Sequence, residues 1–279
     1  MSSEFKTVTV SPQWLSENHD SVAIIDCRFS LQEQELGRQQ YELNHIPGAY
    51  YLDLNQDLAS PVQAHGGRHP LPDPQPLAAK FSAMGITSET LVVGYDDSRF
   101  AFAARLWWLL RYLGHAQVAV LDGGLSGYQA AGYPLTTQSP PVKQGSFVAR
   151  VQLQMVVDIY AVQSRAPEVA LVDSRECDRY LGQREPIDPV AGHIPGAVNY
   201  PWQAVTDEQG YLKPAQELRQ HWADLNASEV FVYCGSGVTA CVNLLALEAA
   251  GIDAGKLYAG SWSDWCSYPL NQALEAQIS

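Results

Sequence analysis

Cys234-Gly235-Ser236-Gly237-Val238-Thr239 is the stretch of this sequence with the strongest chemical character. It lies between an apolar β-branched run, Val230–Tyr233 (VFVY), and a helical pattern, Val238–Ala250 (VTACVNLLALEAA). Gly235 and Gly237 remove side-chain bulk, so the backbone can curl and aim successive N–H groups into one small cup. The free amides and dipole of the following helix favour negative charge there. A cysteine in that position is expected to have a depressed pKa and to stand as a nucleophilic thiolate. Ser236 and Thr239 add hydroxyl donors to the same loop. The bland alternative is a small buried cysteine in a Gly-rich turn. The spacing and the strand–loop–helix context favour chemistry.

The chain also supplies an internal comparison, because it contains itself twice. Val22–Arg28 (VAIIDCR) matches Val169–Arg175 (VALVDSR), and Asn44–Ala49 (NHIPGA) matches Gly192–Ala197 (GHIPGA). Leu91–Tyr95 (LVVGY) matches Val230–Tyr233, and Gly123–Tyr128 (GGLSGY) matches Gly260–Trp265 (GSWSDW). The offsets are 147, 148, 138 and 137 residues, so the order is kept and loop lengths change. Features in both copies are expected to serve the fold: Asp26 with Arg28, Asp173 with Arg175, and His45 and His193 in their turns. The loops after the third matched run differ. The first copy reads Asp96-Asp97-Ser98-Arg99-Phe100 where the second has Cys234 and its glycines.

The elements that must position this loop follow from periodicity. Val22–Asp26, Leu91–Tyr95, Val118–Leu121 and their partners are expected as buried strands. Phe102–Leu113 and Val238–Ala250 are expected as helices, ended by Gly114 and Gly251. Ser11-Pro12 has the pattern of an N-cap with Pro in the first turn. Strands alternating with helices predict an α/β fold: two tandem domains, each a mainly parallel sheet flanked by helices. The expected division is 1–135 and 151–279. The Pro-, Ser- and Thr-rich Tyr133–Gln144 marks the join, and a linker is expected over 136–150.

The whole chain of 279 residues is long enough for two such domains. Its net charge of −13 argues against phosphate backbones and anionic lipid surfaces, so neither nucleic acid nor membrane is an expected partner. Met1–Val10 lacks the pattern of a secretory signal. Five scattered cysteines without a CxxC pair fit free thiols in the cytoplasm better than a disulfide framework or a metal site. Cys241, about two helical turns beyond Cys234, is expected to pack. Cys27, Cys177 and Cys266 are assigned no chemistry.

With both HIPGA turns, Leu121–Gly124 (LDGG), Arg105–Trp108 (RLWW) and the CGSGVT loop, the chain resembles the tandem-domain rhodanese-like sulfurtransferases over nearly its full length. The loop is similar to the version that uses 3-mercaptopyruvate; thiosulfate-using members carry basic residues after the cysteine. The resemblance implies an inactive N-terminal copy, a catalytic C-terminal copy and an active site at their interface. It implies a small-molecule sulfur donor, a persulfide on Cys234, and a thiol, cyanide or reduced dithiol-protein acceptor, without metal or organic cofactor. Gly235, Gly237 and Val238 would line the donor site. Arg179 falls at the position of the family's first substrate-binding arginine. The second, expected after a Glu-Pro pair, is absent: Glu185-Pro186 is followed by Ile187. Arg184 is either its substitute or a solvated surface charge. His69 matches a histidine that assists proton movement with the loop serine. Its family aspartate corresponds to Asn55, with Asp53 two residues earlier. Two fused copies imply a monomer.

Rival readings remain. A cysteine phosphatase needs C-x₅-R for the phosphoryl oxygens, and Ala240 occupies that position. A thiosulfate:cyanide sulfurtransferase and a non-catalytic rhodanese-like binding module stay as alternatives.

Overall fold

In the computed structural model each half of the chain has three longer strands inside a parallel sheet, five of them from runs rich in Val, Ile and Leu and the sixth from Gly255–Tyr258 (GKLY). The structure describes residues 7–225 and 227–269; the first part of the Met1–Val10 leader reading lies outside them. The strands of the first half are β1 (Thr9–Val10), β2 (Val22–Asp26), β3 (Tyr50–Tyr51), β4 (Leu91–Tyr95) and β5 (Val118–Leu121). Those of the second are β6 (Val156–Val157), β7 (Val169–Asp173), β8 (Val198–Asn199), β9 (Glu229–Tyr233) and β10 (Gly255–Tyr258). Two five-stranded sheets result, in the orders β1-β5-β4-β2-β3 and β6-β10-β9-β7-β8. All pairings are parallel. The same order in both places β4 and β9 at the centre, covered by helices as a parallel sheet requires.

The chain divides into two compact units, each carrying a segment taken from the other half of the sequence. One comprises Met1–Ala59, Pro72–Gln152 and Thr206–Lys213; the other comprises Ser60–Leu71, Leu153–Val205 and Pro214–Ser279. In the first unit, the stretch from Thr136 to Gln152 is held by backbone bonds: Thr136 pairs with His45, Gly145 donates to Ser82 O, and Arg150 donates to Leu113 O.

Local signals act as their chemistry dictates. Ser11 Oγ accepts the Trp14 amide and Pro12 opens the helix Pro12–Asn18. Gly114 and Gly251 stop the two long helices at φ 83° and 80°, a conformation that costs glycine little. Those helices run Ala103–Tyr112 and Ala240–Ala249, so the second begins two residues later than Val238. The reason is Gly237, whose φ of 74° keeps the chain curled before the helix can start. Among the described residues no helix is long and apolar enough to cross a membrane.

The repeated polar residues do identical work in each unit. Arg28 closes on Asp26 at 2.6 Å and reaches the Asn44 carbonyl; Arg175 closes on Asp173 at 2.6 Å and reaches the Gly192 carbonyl. All four side chains are buried. Tyr95 donates to Asp26 and accepts the Ile46 amide, while Tyr233 accepts the Ile194 amide. His45 stacks on Tyr41 and His193 on Tyr180, both at 3.9 Å between ring centroids. These pairs tie the carboxyl ends of the central strands to the HIPGA turns.

Removing Asp26 would leave buried Arg28 with the Asn44 carbonyl in place of a carboxylate, so Asp26→Ala is expected to cost about 3–5 kcal/mol in urea denaturation. Asp173→Ala should cost less, because Arg175 keeps Glu185 at 3.2 Å. A pH effect follows from His115, which is buried with Nε2 against the Thr90 carbonyl and held by burial below its ordinary value of 6.5. The folded state favours neutral imidazole, so this contribution is intact above 6.5 and is lost as pH falls through the lowered value. Melting temperatures measured from about pH 8 to about pH 5 should fall more steeply for the wild type than for His115→Gln.

Candidate active site

Cys234 follows directly on β9, at the carboxyl end of the central strand of its sheet, the place where open parallel sheets bind ligands. Its side chain is only 2% exposed. The loop is fastened along its backbone. The Cys234 amide donates to Ser261 Oγ (3.1 Å), and the carbonyls of Cys234 and Gly235 each accept at 3.0 Å, from Trp262 and Ser263. Ser261 has a φ of 56°, a left-handed conformation unusual for serine, and is completely buried. Its hydroxyl also donates to the Tyr258 carbonyl.

Gly237 is obligatory here for two reasons. Its φ is 74°, and a Cβ would stand 2.3 Å from the Ala259 carbonyl oxygen. Gly235 has a different role: a Cβ there would lie 2.9 Å from Arg68 Nη2 and 3.5 Å from both terminal nitrogens of Arg179. Two guanidinium groups therefore close on the residue next to Cys234.

The twin loop of the other unit shows what this backbone attracts. Asp96 replaces Cys234, and its carboxylate accepts four amides: Ser98 and Phe100 on Oδ1, Phe102 and Ala103 on Oδ2, at 2.8–3.1 Å. Burial pushes this carboxyl above its usual range, against the downward pull of the amides of Ala103, Ser98 and Phe102. The offset of 138 residues maps those amides onto Ser236, Val238, Ala240 and Cys241; the Cys241 amide differs from its twin in donating to the Val238 carbonyl at 3.1 Å. Arg99 and Phe100 make the curl with φ of 58° and 69°, where the second copy uses Gly237. The Leu125 amide meets the Asp96 carbonyl as Trp262 meets that of Cys234.

Ser236 is buried, and its Oγ lies 2.7 Å from His69 Nδ1. Val238 is buried and Thr239 half-buried at the start of the helix. Arg179 is gripped by Glu185, with Nη2 2.8 Å from Oε1, and reaches Asp188 Oδ2 at 3.3 Å. Asp188 Oδ1 pairs with Arg68. Glu185 also accepts from Arg175 Nη1 at 3.2 Å. Burial works to raise the Glu185 carboxyl, but the Asp188 amide and Arg179 outweigh it and hold it low; burial wins at Asp188, which is raised.

Arg184 stands apart from this cluster. Its side chain is 49% exposed and bonds Asp178 through Nε at 2.5 Å, so the solvated surface charge is what the structure favours. Asp53 caps its own turn, accepting the Asn55 and Gln56 amides on Oδ1. Cys241 packs on the helix, its thiol 3.5 Å from the Gly237 carbonyl. Ile187, at the position where the resemblance implies a second arginine, is exposed.

Sequence reasoning missed Arg68, Ser261, Glu185 and Asp188. Arg68 had a readable signal, since Gly66-Gly67-Arg68-His69 has no counterpart in the second copy. Gly67, at φ 77°, lets the segment pass so close that a Cβ would lie 2.3 Å from the Gly260 carbonyl oxygen. The Gly66 amide donates to Asp264 and the Arg68 amide to Ser263 Oγ, which fixes both Arg68 and His69 beside the loop. Ser261 was hidden because its partner position is a glycine, Gly124, which reaches the same φ without strain.

The chain is similar to known proteins over most of its length. The rhodanese-like domain family matches residues 11–131 and again 157–268. A Pseudomonas aeruginosa protein named "Probable 3-mercaptopyruvate sulfurtransferase" is 44% identical over 254 residues, covering 88% of this chain and 89% of the relative. The rat thiosulfate sulfurtransferase is 31% identical over 274 residues, covering 92% and 91%. The solved structure of 3-mercaptopyruvate sulfurtransferase from Leishmania major superposes with a TM-score of 0.81 at 30% identity, over 93% of this chain and 74% of that one. With two copies of the domain, the same sheet order in each and a cysteine loop in the second, the chain belongs to the rhodanese-like family.

Proposed function

We propose that this chain is a sulfurtransferase that takes sulfur from 3-mercaptopyruvate and passes it on through a persulfide on Cys234. What supports this most is the pair of twin loops: the cup that receives a carboxylate at Asp96 has a cysteine sulfur at its mouth in the second copy. Such a cup stabilises a thiolate before the reaction and a persulfide anion after it.

Cys234 Sγ attacks the thiol sulfur of the donor. A sulfur–sulfur bond forms, the carbon–sulfur bond breaks, and its electron pair passes into the enolate of pyruvate. The proton carried by the transferred sulfur ends on the methyl carbon of pyruvate. Ser236 and His69, joined at 2.7 Å, are the groups beside the loop suited to carry it. Arg179 opposes the negative charge that builds on the leaving enolate. The Thr239 hydroxyl and the loop amides, including those of Gly237 and Val238, hold the terminal sulfur. A thiol, cyanide or reduced dithiol protein then attacks that sulfur and regenerates the Cys234 thiolate.

The five cysteines are free thiols, which suits a reducing cytoplasm. The fused copies suit a monomer. The domain limits expected from the repeat, 1–135 and 151–279, remain our proposal for the evolutionary units.

Intact mass after incubating reduced protein with 3-mercaptopyruvate, without acceptor, is expected to increase by one sulfur. Cys234→Ser should show no gain, and a thiol should reverse it. Equal or greater loading by thiosulfate would favour the thiosulfate reading, and loading by neither donor would leave a binding module. The loop's shape can be tested with two glycines of similar φ. Gly237→Ala meets the Ala259 carbonyl and should slow loading by at least roughly tenfold. Gly251→Ala has nothing within 4 Å of its new Cβ. It should cost about 1–2 kcal/mol of stability and leave loading unchanged.

A further inference from the structure

We propose that Arg68 is a donor-binding residue, forming with Arg179 a clamp for the carboxylate of the sulfur donor. The inference rests on the sulfurtransferase reading and adds to it the residue that recognises the donor's charge. It starts from geometry. Arg68 Nη2 and both terminal nitrogens of Arg179 converge on the point above Gly235 where a side chain would begin, one residue from the nucleophile. Glycine at 235 keeps that point open. The two guanidinium groups are already joined by one carboxylate, because Asp188 offers Oδ1 to Arg68 and Oδ2 to Arg179. A planar carboxylate can therefore span the pair, and Asp188 leaves Arg68 Nη2 and Arg179 Nη1, on the Gly235 side, for the donor's carboxylate.

Arg68 retains capacity for a second anion. A guanidinium has five N–H donors. Asp188 takes Nη1, whereas Nη2 is the nitrogen nearest Gly235. Its side chain is 29% exposed, against 10% for Arg179, so Arg68 is the more accessible of the pair. Its backbone is held beside the loop by the Ser263 hydroxyl and by Gly67 pressed against Gly260, so the cation is positioned before the donor arrives. Arg184, bonded to Asp178, and exposed Ile187 offer no comparable group.

The test follows sulfur loading of Cys234 against 3-mercaptopyruvate concentration, with pyruvate as competitor. Arg68→Ala should raise the half-saturating donor concentration by roughly 10–100-fold and weaken pyruvate competition in parallel. The loading rate at saturation should change by less than about threefold, as expected for lost ground-state binding. Arg68→Lys keeps the charge without the fork and should recover part of the affinity. If Arg68 only props up Asp188, Arg68→Ala should lower the saturating rate together with the affinity, and Arg68→Gln, which keeps a donor for Asp188, should behave as the wild type; in the clamp, half-saturation rises in both and the saturating rate holds.

Unchanged half-saturation in a folded Arg68→Ala would overturn the proposal. If Arg68→Ala does not fold, wild-type affinity in both Arg68→Lys and Arg68→Gln does so equally. Failure of the wild type itself to load would instead remove the sulfurtransferase reading, so the two outcomes are distinct.

Discussion

A strand that stops at the middle of a parallel sheet and turns sharply into a helix leaves several amides pointing into one small space. That space demands negative charge, and the rest of each unit is organised around meeting the demand. In the first copy Asp96 meets it from within the chain, with its own carboxylate filling the cup. A cup filled by a covalently attached anion has no room for a ligand. In the second copy Cys234 stands at the matching position, with a single sulfur where the first copy has a carboxylate. One substitution at one position separates a structural anion from a candidate nucleophile.

The curl itself is expensive, and the copies meet the cost differently. The first places Arg99 and Phe100 in left-handed backbone and holds Arg99 there through bonds from its guanidinium to Thr206 and Asp207. The second uses Gly237, which takes the left-handed conformation without a Cβ to strain. It moves the strain to Ser261, whose hydroxyl receives the Cys234 amide. Strained non-glycine backbone survives only where surrounding contacts hold it. Ser261 is buried and bonded on both sides, which satisfies that condition.

Much of this was legible in the sequence, because the repeat separates scaffold from site without any outside comparison. The buried Asp–Arg pairs, the HIPGA turns, the central strands and the helix stops all appear twice and are found as expected. The Cys234 loop appears once, and it sits at the carboxyl end of the central strand. What stayed hidden depends on tertiary proximity. Arg68 lies 166 positions before Cys234, and only the folding of Ser60–Leu71 into the unit of Cys234 makes them neighbours. The helix start slipped by two residues because periodicity does not register the conformation of Gly237. Arg184 reads in sequence equally as a substitute for the absent second arginine or as a solvated surface charge; its exposure and its bond to Asp178 show its setting, which the sequence does not.

Charge beside Cys234 is therefore not written in the loop that carries it. The loop CGSGVT is neutral apart from the thiol, which read alone suggests a site poor in cations. In the structure two guanidinium groups stand over Gly235, and they are there because Gly235 has no side chain. A basic residue at that position would enter the space that Arg68 occupies and replace a positioned cation with a flexible one. The balance of the cluster is also close to neutral: Arg68, Arg175 and Arg179 face Asp173, Glu185 and Asp188. A dianion would have to displace internal carboxylates to be compensated fully. A single carboxylate needs only the unused edge of the guanidinium groups. The neutral loop and the balanced cluster thus favour a donor with one carboxylate, for a reason that lies in the folding of a distant segment as much as in the loop.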